Sequence, residues 1–204
     1  MRQSEALAMR RWIVAVAFLV ALAGAARADW QAVERVETYS ITGQTGIALY
    51  RSIGENGPRA GPGSAIAFTD YKLTWGRDYR PQPDGSCTLV SARPNLVITY
   101  RLPEPAGPLP PETLALWERF IAGVRAHERV HGRIITDITK KIEALSIGLT
   151  VADDPTCAKT RAELQRRLPP LAEELKRRNR DFDRKEMSEG GTVHRLVLEL
   201  VNGG

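Results

Sequence analysis

Histidine, cysteine and long apolar runs are all scarce in this chain of 204 residues, which contains three histidines and two cysteines. Neither cysteine has the spacing of a zinc ligand, which excludes a cysteine-based zinc site. After residue 28, no segment approaches the 18 consecutive apolar residues of a membrane helix, so we expect no stable membrane span in the mature protein. Internal repeats and low-complexity tracts are also absent, and the length suits one globular domain.

The amino-terminal segment has the pattern of a secretory signal peptide over residues 1–28. Arg10 and Arg11 precede an apolar run, and an Ala-x-Ala cleavage site stands directly before Asp29. The apolar run is too short for a comfortable membrane span, which disfavours an uncleaved anchor. We therefore expect a periplasmic or secreted protein whose single domain covers residues 29–204.

The charge of the mature chain is nearly balanced. Removal of the leader takes away four arginines and one glutamate, leaving 25 basic and 23 acidic residues and a formal net charge of +2. Such a small excess lacks the basic character of nucleic-acid-binding and acidic-membrane-binding proteins. We expect no nucleic-acid partner.

The two cysteines, Cys87 and Cys157, are expected to form a disulfide, because an exported chain with two cysteines usually pairs them. The bridge would close a loop of about 70 residues, and the chain-entropy model assigns such a loop roughly 4 kcal/mol of stabilisation. A reactive thiol pair is the functional alternative.

The motif His-Glu-x-x-His begins at His127 and lies within a pattern typical of one long helix. Apolar residues recur at spacings of three and four between Pro111 and Gly148. Four residues make about 1.1 helical turns, so His127 and His131 lie on one face and can reach one metal ion. Glu128 then lies beside that ion.

This spacing is typical of zinc hydrolases. A zinc ion on two such histidines lowers the pKa of a bound water, and the adjacent glutamate can accept its proton as the water attacks a carbonyl. The motif predicts Zn²⁺ as cofactor, His127 and His131 as ligands, Glu128 as catalytic base, and a peptide or protein substrate. The alternative is a core helix that carries two histidines on its apolar side. Against it, two of only three histidines stand four apart with a glutamate after the first.

The predicted fold class is α+β: a small, mostly antiparallel sheet followed by the long motif helix, which packs against one or two further helices. Alternating apolar residues predict strands at 30–41, 65–75 and 87–101. A proline-rich linker is expected over 102–111. A later helix should kink or break at Pro169. The pattern of Val193, Leu196, Leu198 and Leu200 predicts a last short strand over 192–201.

The mature chain also contains an ordered series of short segments that resembles a known family. The segments are residues 39–45, 49–53, 57–58, Thr69, Leu73, Trp75, Cys87, 102–103, Trp117 and 127–132. In this order they resemble a bacterial family of predicted secreted zinc-dependent proteases, described mainly as a domain of unknown function. The resemblance spans nearly all of the mature chain and implies a single zinc-protease-like domain with hydrolase activity.

The carboxyl-terminal part of the chain departs from the family pattern. That pattern closes with an aromatic residue, Asp, two residues, Thr, one residue and His-Gly. Phe182 and Asp183 match it, but Glu186 stands where Thr is expected. With one inserted residue allowed, Glu189-Gly190 occupies the place of His-Gly. If that histidine serves the metal in relatives, another group must take its role here.

The third zinc ligand stays open among three candidates, since a catalytic zinc usually has three protein ligands and one open position. His194 is the remaining histidine, Glu189 is the alignment candidate, and Asp183 with Glu186 offers carboxylates three residues apart on a helix. Each candidate has a structural alternative. His194 can be an ordinary polar residue, and the acids can pair with neighbouring arginines and lysine.

Two functions fit these observations. The first is an exported zinc-dependent hydrolase, most simply a metallopeptidase, with Glu128 as general base. The second is a non-catalytic periplasmic binding module with a vestigial or structural metal site, which the missing His-Gly favours. The presence of Glu128 favours the enzyme, because a purely structural site has no use for a general base.

Overall fold

The computed structural model describes residues 30–60 and 63–203. The predicted leader over 1–28 and the expected mature terminus at Asp29 lie outside the described residues. Among the helices of the described ranges, none combines the length and the apolar character that crossing a membrane requires.

The fold combines a small sheet with helices, as the α+β prediction states. In chain order the elements are β1 (Val33–Ile41), α1 (Gly46–Asn56), β2 (Arg59–Ala60), β3 (Gly63–Ser64), β4 (Phe68–Pro81), β5 (Cys87–Pro105), α2 (Pro111–Ser146), β6 (Thr150–Val151), α3 (Ala158–Arg167), α4 (Pro169–Met187) and α5 (Thr192–Asn202). β2 and β3 form a separate small hairpin. The main sheet and α2 determine where the site lies.

The long strand β5 is the centre of the main sheet, whose order is β1-β5-β4. β4 and the short β6 pair with β5 in the antiparallel sense, as predicted. β1 is parallel to β5, which the sequence pattern does not indicate. A parallel neighbour needs a long connection, and here α1, the small hairpin and β4 lie between the two strands in the chain.

The prediction of a linker over 102–111 is wrong at its start, because β5 continues to Pro105. Prolines are tolerated there because each one has a neighbouring strand on one side only. Pro103 and Pro105 pair with β1 beyond the last β4 partner, Arg101, whereas Pro94 pairs with β4 before the β1 ladder begins. Proline has no backbone N–H, so it fits a strand position that does not have to donate a hydrogen bond to a neighbouring strand.

The predicted long helix is α2, which contains 36 residues. Pro111 occupies its first turn, where a missing N–H costs nothing, and Gly148 follows its end with a positive φ of 84°. Its apolar face packs on β5 and β4. The α2 residues in the main core are Leu116, Trp117, Phe120, Val124 and Ile135.

The predicted strand over 192–201 is wrong, because this segment forms the helix α5. Val193 and Leu200 are buried and Leu196 packs against the core, which is the three- and four-residue spacing of one helical face. Leu198, which supports the alternating interpretation, is 44% exposed. A short segment rich in apolar residues satisfies both periods, and here packing against α1 and α2 favours the helix.

Two glycines allow α5 to approach its neighbours closely. A Cβ atom on Gly46 of α1 would lie 1.7 Å from the carbonyl oxygen of Leu200, a backbone atom that cannot move aside. A Cβ atom on Gly123 of α2 would lie 2.2 Å from a Leu196 methyl, which a side-chain rotation can relieve. The contact between α1 and α5 therefore requires glycine more strictly.

The predicted break between the last helices falls where expected, since α3 ends at Arg167 and α4 begins at Pro169. Proline fits the first turn of a helix but not its interior. No residue of α4 is fully buried. This helix lies against α2 and α5 and brings polar side chains to α2.

The predicted Cys87–Cys157 disulfide is confirmed, with 5.2 Å between the two Cα atoms. It joins the first residue of β5 to the residue that precedes α3. Asp154 stabilises the same connection by accepting hydrogen bonds from the backbone N–H groups of Lys159 and Thr160 and from the Thr160 hydroxyl. The start of α3 is thereby fixed to the sheet.

We expect removal of the disulfide to destabilise the protein strongly. The bridge spans 70 residues, a loop for which the chain-entropy model gives roughly 4 kcal/mol. The measurement is urea unfolding of the wild type and of a Cys87→Ala/Cys157→Ala variant, each with and without reductant. Reductant should lower the wild-type midpoint towards that of the variant and leave the variant unchanged. Equal midpoints for oxidised wild type and variant would contradict the expectation.

Candidate metal centre

The two histidines of the motif converge, as their helical spacing predicts. His127 and His131 lie on α2 with their Nε2 atoms 3.1 Å apart and their rings edge to face. His127 is only 5% exposed. Ligands that bind one zinc ion tetrahedrally through bonds of about 2.0–2.1 Å stand roughly 3.3 Å from each other, so the spacing of the nitrogens suits a shared ion.

Asp183 of α4 completes a group of three. Its Oδ1 atom lies 2.8 Å from Nε2 of His131 and 3.3 Å from Nε2 of His127. Among the described residues this is the one cluster of three or more histidine, cysteine or acidic side chains whose ligand atoms could share a metal ion. Two imidazole nitrogens and one carboxylate oxygen are a donor set that zinc accepts in catalytic sites.

The neighbouring residues of α4 orient the two imidazoles. Nδ1 of His131 donates a hydrogen bond to the side-chain oxygen of Asn179 at 2.7 Å, which orients the ring so that Nε2 faces Asp183 and His127. Phe182 stacks on the His127 ring at 4.6 Å. Metal-binding histidines generally donate their second ring N–H to an acceptor in this way, so His131 has the environment that a ligand requires. Nδ1 of His127, by contrast, is buried without a hydrogen-bond partner among the described residues.

The acid–base properties of the group reflect these contacts. Burial alone lowers the pKa of His131, but the hydrogen bonds to Asp183 and Asn179 and the charge of Asp183 outweigh it, and the pKa is raised. Burial would raise the pKa of Asp183, yet its bonds with both histidines hold the pKa of this carboxyl well below its usual range. The group thus contains a firmly ionised carboxylate, which is the form that binds a cation.

Glu128 contacts the sheet. It is 5% exposed, and its Oε2 atom accepts a hydrogen bond of 2.5 Å from the hydroxyl of Thr69 on β4. Burial raises the pKa of Glu128, while the bond from Thr69 and the nearby histidines act in the opposite direction. A fixed carboxylate with a raised pKa is suited to accept a proton near neutral pH.

A cavity of about 360 Å³ opens next to Glu128. Its lining consists of residues from β1, β5 and α2, namely Glu34, Val36, Tyr100, Leu102, Arg125, Glu128 and Arg129. The Tyr100 hydroxyl donates to Glu34 at 3.0 Å, and burial, followed by the effect of Glu34, raises the pKa of Tyr100 to about 12. Tyr100 fits against α2 because position 132 is glycine: a Cβ there would lie 2.2 Å from the tyrosine oxygen.

The other predicted ligands lie elsewhere. His194 is on α5, where its Nδ1 accepts a hydrogen bond from the backbone N–H of Gly190 at 3.3 Å. Glu189 is exposed in the turn between α4 and α5, and Glu186 is near the hydroxyl of Thr192. Of the three candidates for the third ligand, the structure brings only Asp183 to the two histidines.

Two functional contacts were not found by sequence reasoning. The first is the contact of Asn179 with His131: Asn179, Phe182 and Asp183 follow the helical spacing of three and four, which marks one face of α4 but does not single out the asparagine. Thr69 belongs to the family segments, yet its contact with Glu128 spans 59 residues and has no signal in local spacing.

The chain matches the model of a known protein family. The model of a family described as a bacterial protein of unknown function (DUF922) matches residues 36–191, a range that includes Thr69, the motif and Asp183 and ends before His194. No curated protein and no solved structure matches the chain. Since the matched range covers more than half of its length, the chain belongs to this bacterial family of unknown function.

Proposed function

We propose that the protein is an exported zinc-dependent hydrolase, most simply a metallopeptidase. His127, His131 and Asp183 would hold the ion, and Glu128 would act as general base. The observation that carries the proposal is the convergence of one atom each from His127, His131 and Asp183 within 3.3 Å of one another. The buried carboxylate of Glu128 follows His127 directly in α2, and a cavity opens beside it.

The donor set supports zinc. Zinc, when bound, supplies Lewis-acid chemistry that acidifies water and polarises a carbonyl group. Asn179 fixes the tautomer of His131, Phe182 fixes the plane of His127, and Asp183 contributes the negative charge that partly neutralises a divalent cation. Because Asp183 supplies a third ligand, the glutamate at position 189, in place of the family's histidine, does not leave the set incomplete.

The role of Glu128 follows from its surroundings. Thr69 holds one carboxylate oxygen and leaves the other available, so the side chain is oriented before a substrate arrives. The carboxylate can take a proton from an attacking water and pass it to a leaving amine, which is the usual sequence for a general base in amide hydrolysis. Tyr100, Arg125 and Arg129 line the adjacent cavity and are the groups placed to contact a substrate carbonyl or its neighbouring groups.

A non-catalytic binding module with a structural metal site is the second candidate. The replacement of His-Gly by Glu189-Gly190 favours it, since that change separates this chain from the pattern it otherwise resembles. The buried, oriented carboxylate of Glu128 favours the enzyme, because a structural site gains nothing from it. The two candidates differ in what they predict for Glu128.

We expect the mature protein to bind one zinc ion, and Asp183→Ala to weaken this binding. Loss of a direct ligand should exceed the 10- to 100-fold effect typical of an outer hydrogen-bond partner. The measurement is zinc content after dialysis and competition with a fluorescent chelator. His194→Ala is the matched control, because His194 lies outside the three-ligand group, and it should retain wild-type affinity. Greater loss in His194→Ala than in Asp183→Ala would overturn the ligand assignment.

We expect Glu128→Gln to retain zinc and lose most hydrolytic activity. Glutamine keeps the size and the hydrogen bond with Thr69 but cannot accept the proton, so kcat/KM should fall by about 10²- to 10⁴-fold. The assay uses unfolded protein and cell-wall peptides, with zinc content measured in parallel. Glu118→Gln is the control, since Glu118 is exposed on the same helix. A wild type that holds zinc and cleaves nothing would favour the binding module.

A further inference from the structure

Three arginines form a stripe along one flank of α2. Arg125, Arg129 and Arg133 stand four residues apart, so they stack on neighbouring turns. All three are exposed, and no carboxylate of the described residues lies within ion-pair distance of them. Like charges at this spacing destabilise a helix. Elsewhere on α2 and α4, Lys141, Arg178 and Arg184 each form an ion pair with an acidic side chain.

The stripe borders two cavities that share a wall. Arg125 and Arg129 line the cavity of about 360 Å³ beside Glu128, and Arg133 lines a second cavity of about 510 Å³. Glu34 of β1 lines both. We call this region, bounded by Glu34, Val36 and the three arginines, the arginine trough.

The trough exists because α2 packs over β5 and β4 and leaves the face of β1 open. Val36 on that face is 60% exposed. Within the main sheet as described, β1 pairs with β5 alone, so its outer edge carries free backbone N–H and C=O groups. The trough therefore combines cationic side chains on one side with an unpaired strand on the other.

We propose that the arginine trough binds an extended acidic segment of a polypeptide substrate and leads it to Glu128. This inference rests on the proposed function and adds a substrate class to it. Eight residues of helix separate the outer arginines by about 12 Å, the length of three to four residues of extended chain. Arginine's planar fork matches carboxylates, and successive acidic side chains on one side of an extended peptide can meet successive arginines.

A polypeptide fits the trough better than a nucleic acid does. The free edge of β1 can pair with a peptide backbone, which a phosphodiester chain cannot do. The net charge of the mature chain is only +2, so the attraction is local to this flank.

The test measures binding by fluorescence anisotropy in the zinc-loaded Glu128→Gln protein, so that the probe is not cleaved. The probes are two labelled ten-residue peptides that alternate alanine with glutamate or with glutamine. One variant adds Arg125→Gln, Arg129→Gln and Arg133→Gln. The matched control adds Arg51→Gln, Arg119→Gln and Arg177→Gln, three exposed arginines outside both cavities, which change the net charge equally.

We expect the trough variant to weaken binding of the glutamate peptide by about tenfold or more, from three exposed ion pairs lost together. The control should change it by less than about twofold, the glutamine peptide should bind weakly throughout, and added salt should weaken the glutamate peptide. Equal losses in both variants, or equal binding of the two peptides, would overturn the proposal. So would displacement by an oligothymidylate at lower concentration than by unlabelled glutamate peptide.

A cleavage assay with the zinc-loaded wild type separates this proposal from the proposed function. The three trough substitutions should raise KM for the glutamate peptide and leave the zinc content unchanged. If the wild type cleaves neither peptide, the hydrolase assignment fails, while the anisotropy result still decides whether the trough binds acidic peptides.

Discussion

The contact of the Asp183 carboxylate with the imidazoles of His127 and His131 holds α4 against α2, and the arrangement of the candidate site depends on it. No residue of α4 is fully buried, so this helix gains less from burial than the other helices, each of which has buried residues. The other polar links between α4 and α2 include partly exposed ion pairs, each of which contributes about 1 kcal/mol at most. The contact of Asp183 with two imidazoles whose side chains are only 4% and 11% exposed is charge-assisted and is the stronger constraint on where α4 lies.

The candidate site lies on α2, which packs against the sheet on one side and against α4 on the other. His127 and His131 face α4, whereas the intervening Glu128 faces the sheet and is held by Thr69. The positions of the two histidines and of Glu128 are thus fixed by different elements, α4 for the histidines and β4 for Glu128. This separation explains why replacing Glu128 is expected to leave metal binding intact.

The sequence predicts α2 well because its period, its opening prolines and its closing glycine all agree. It does not predict α5, because with Leu198 included the apolar residues fit the two-residue period of a strand as well as the period of a helix. Packing against α1 and α2 decides between the two. Asp183 stays one of several candidates in the sequence, since an acid beside arginines on a helix has the same appearance whether it binds a metal or a neighbour. The parallel pairing of β1 has no local signal at all, because strand direction is set by the connection and not by the strand.

The close approach of Gly46 to Leu200 has a consequence for the order in which the protein can be built. Synthesis produces α1, the sheet and all the candidate site residues before α5, yet the core beside α1 is complete only when Leu200 is in place. Until then the core cluster that contains Ile41 and Leu49 lacks Leu200. In a growing chain the candidate metal ligands and Glu128 therefore precede the residue that completes the core beside α1.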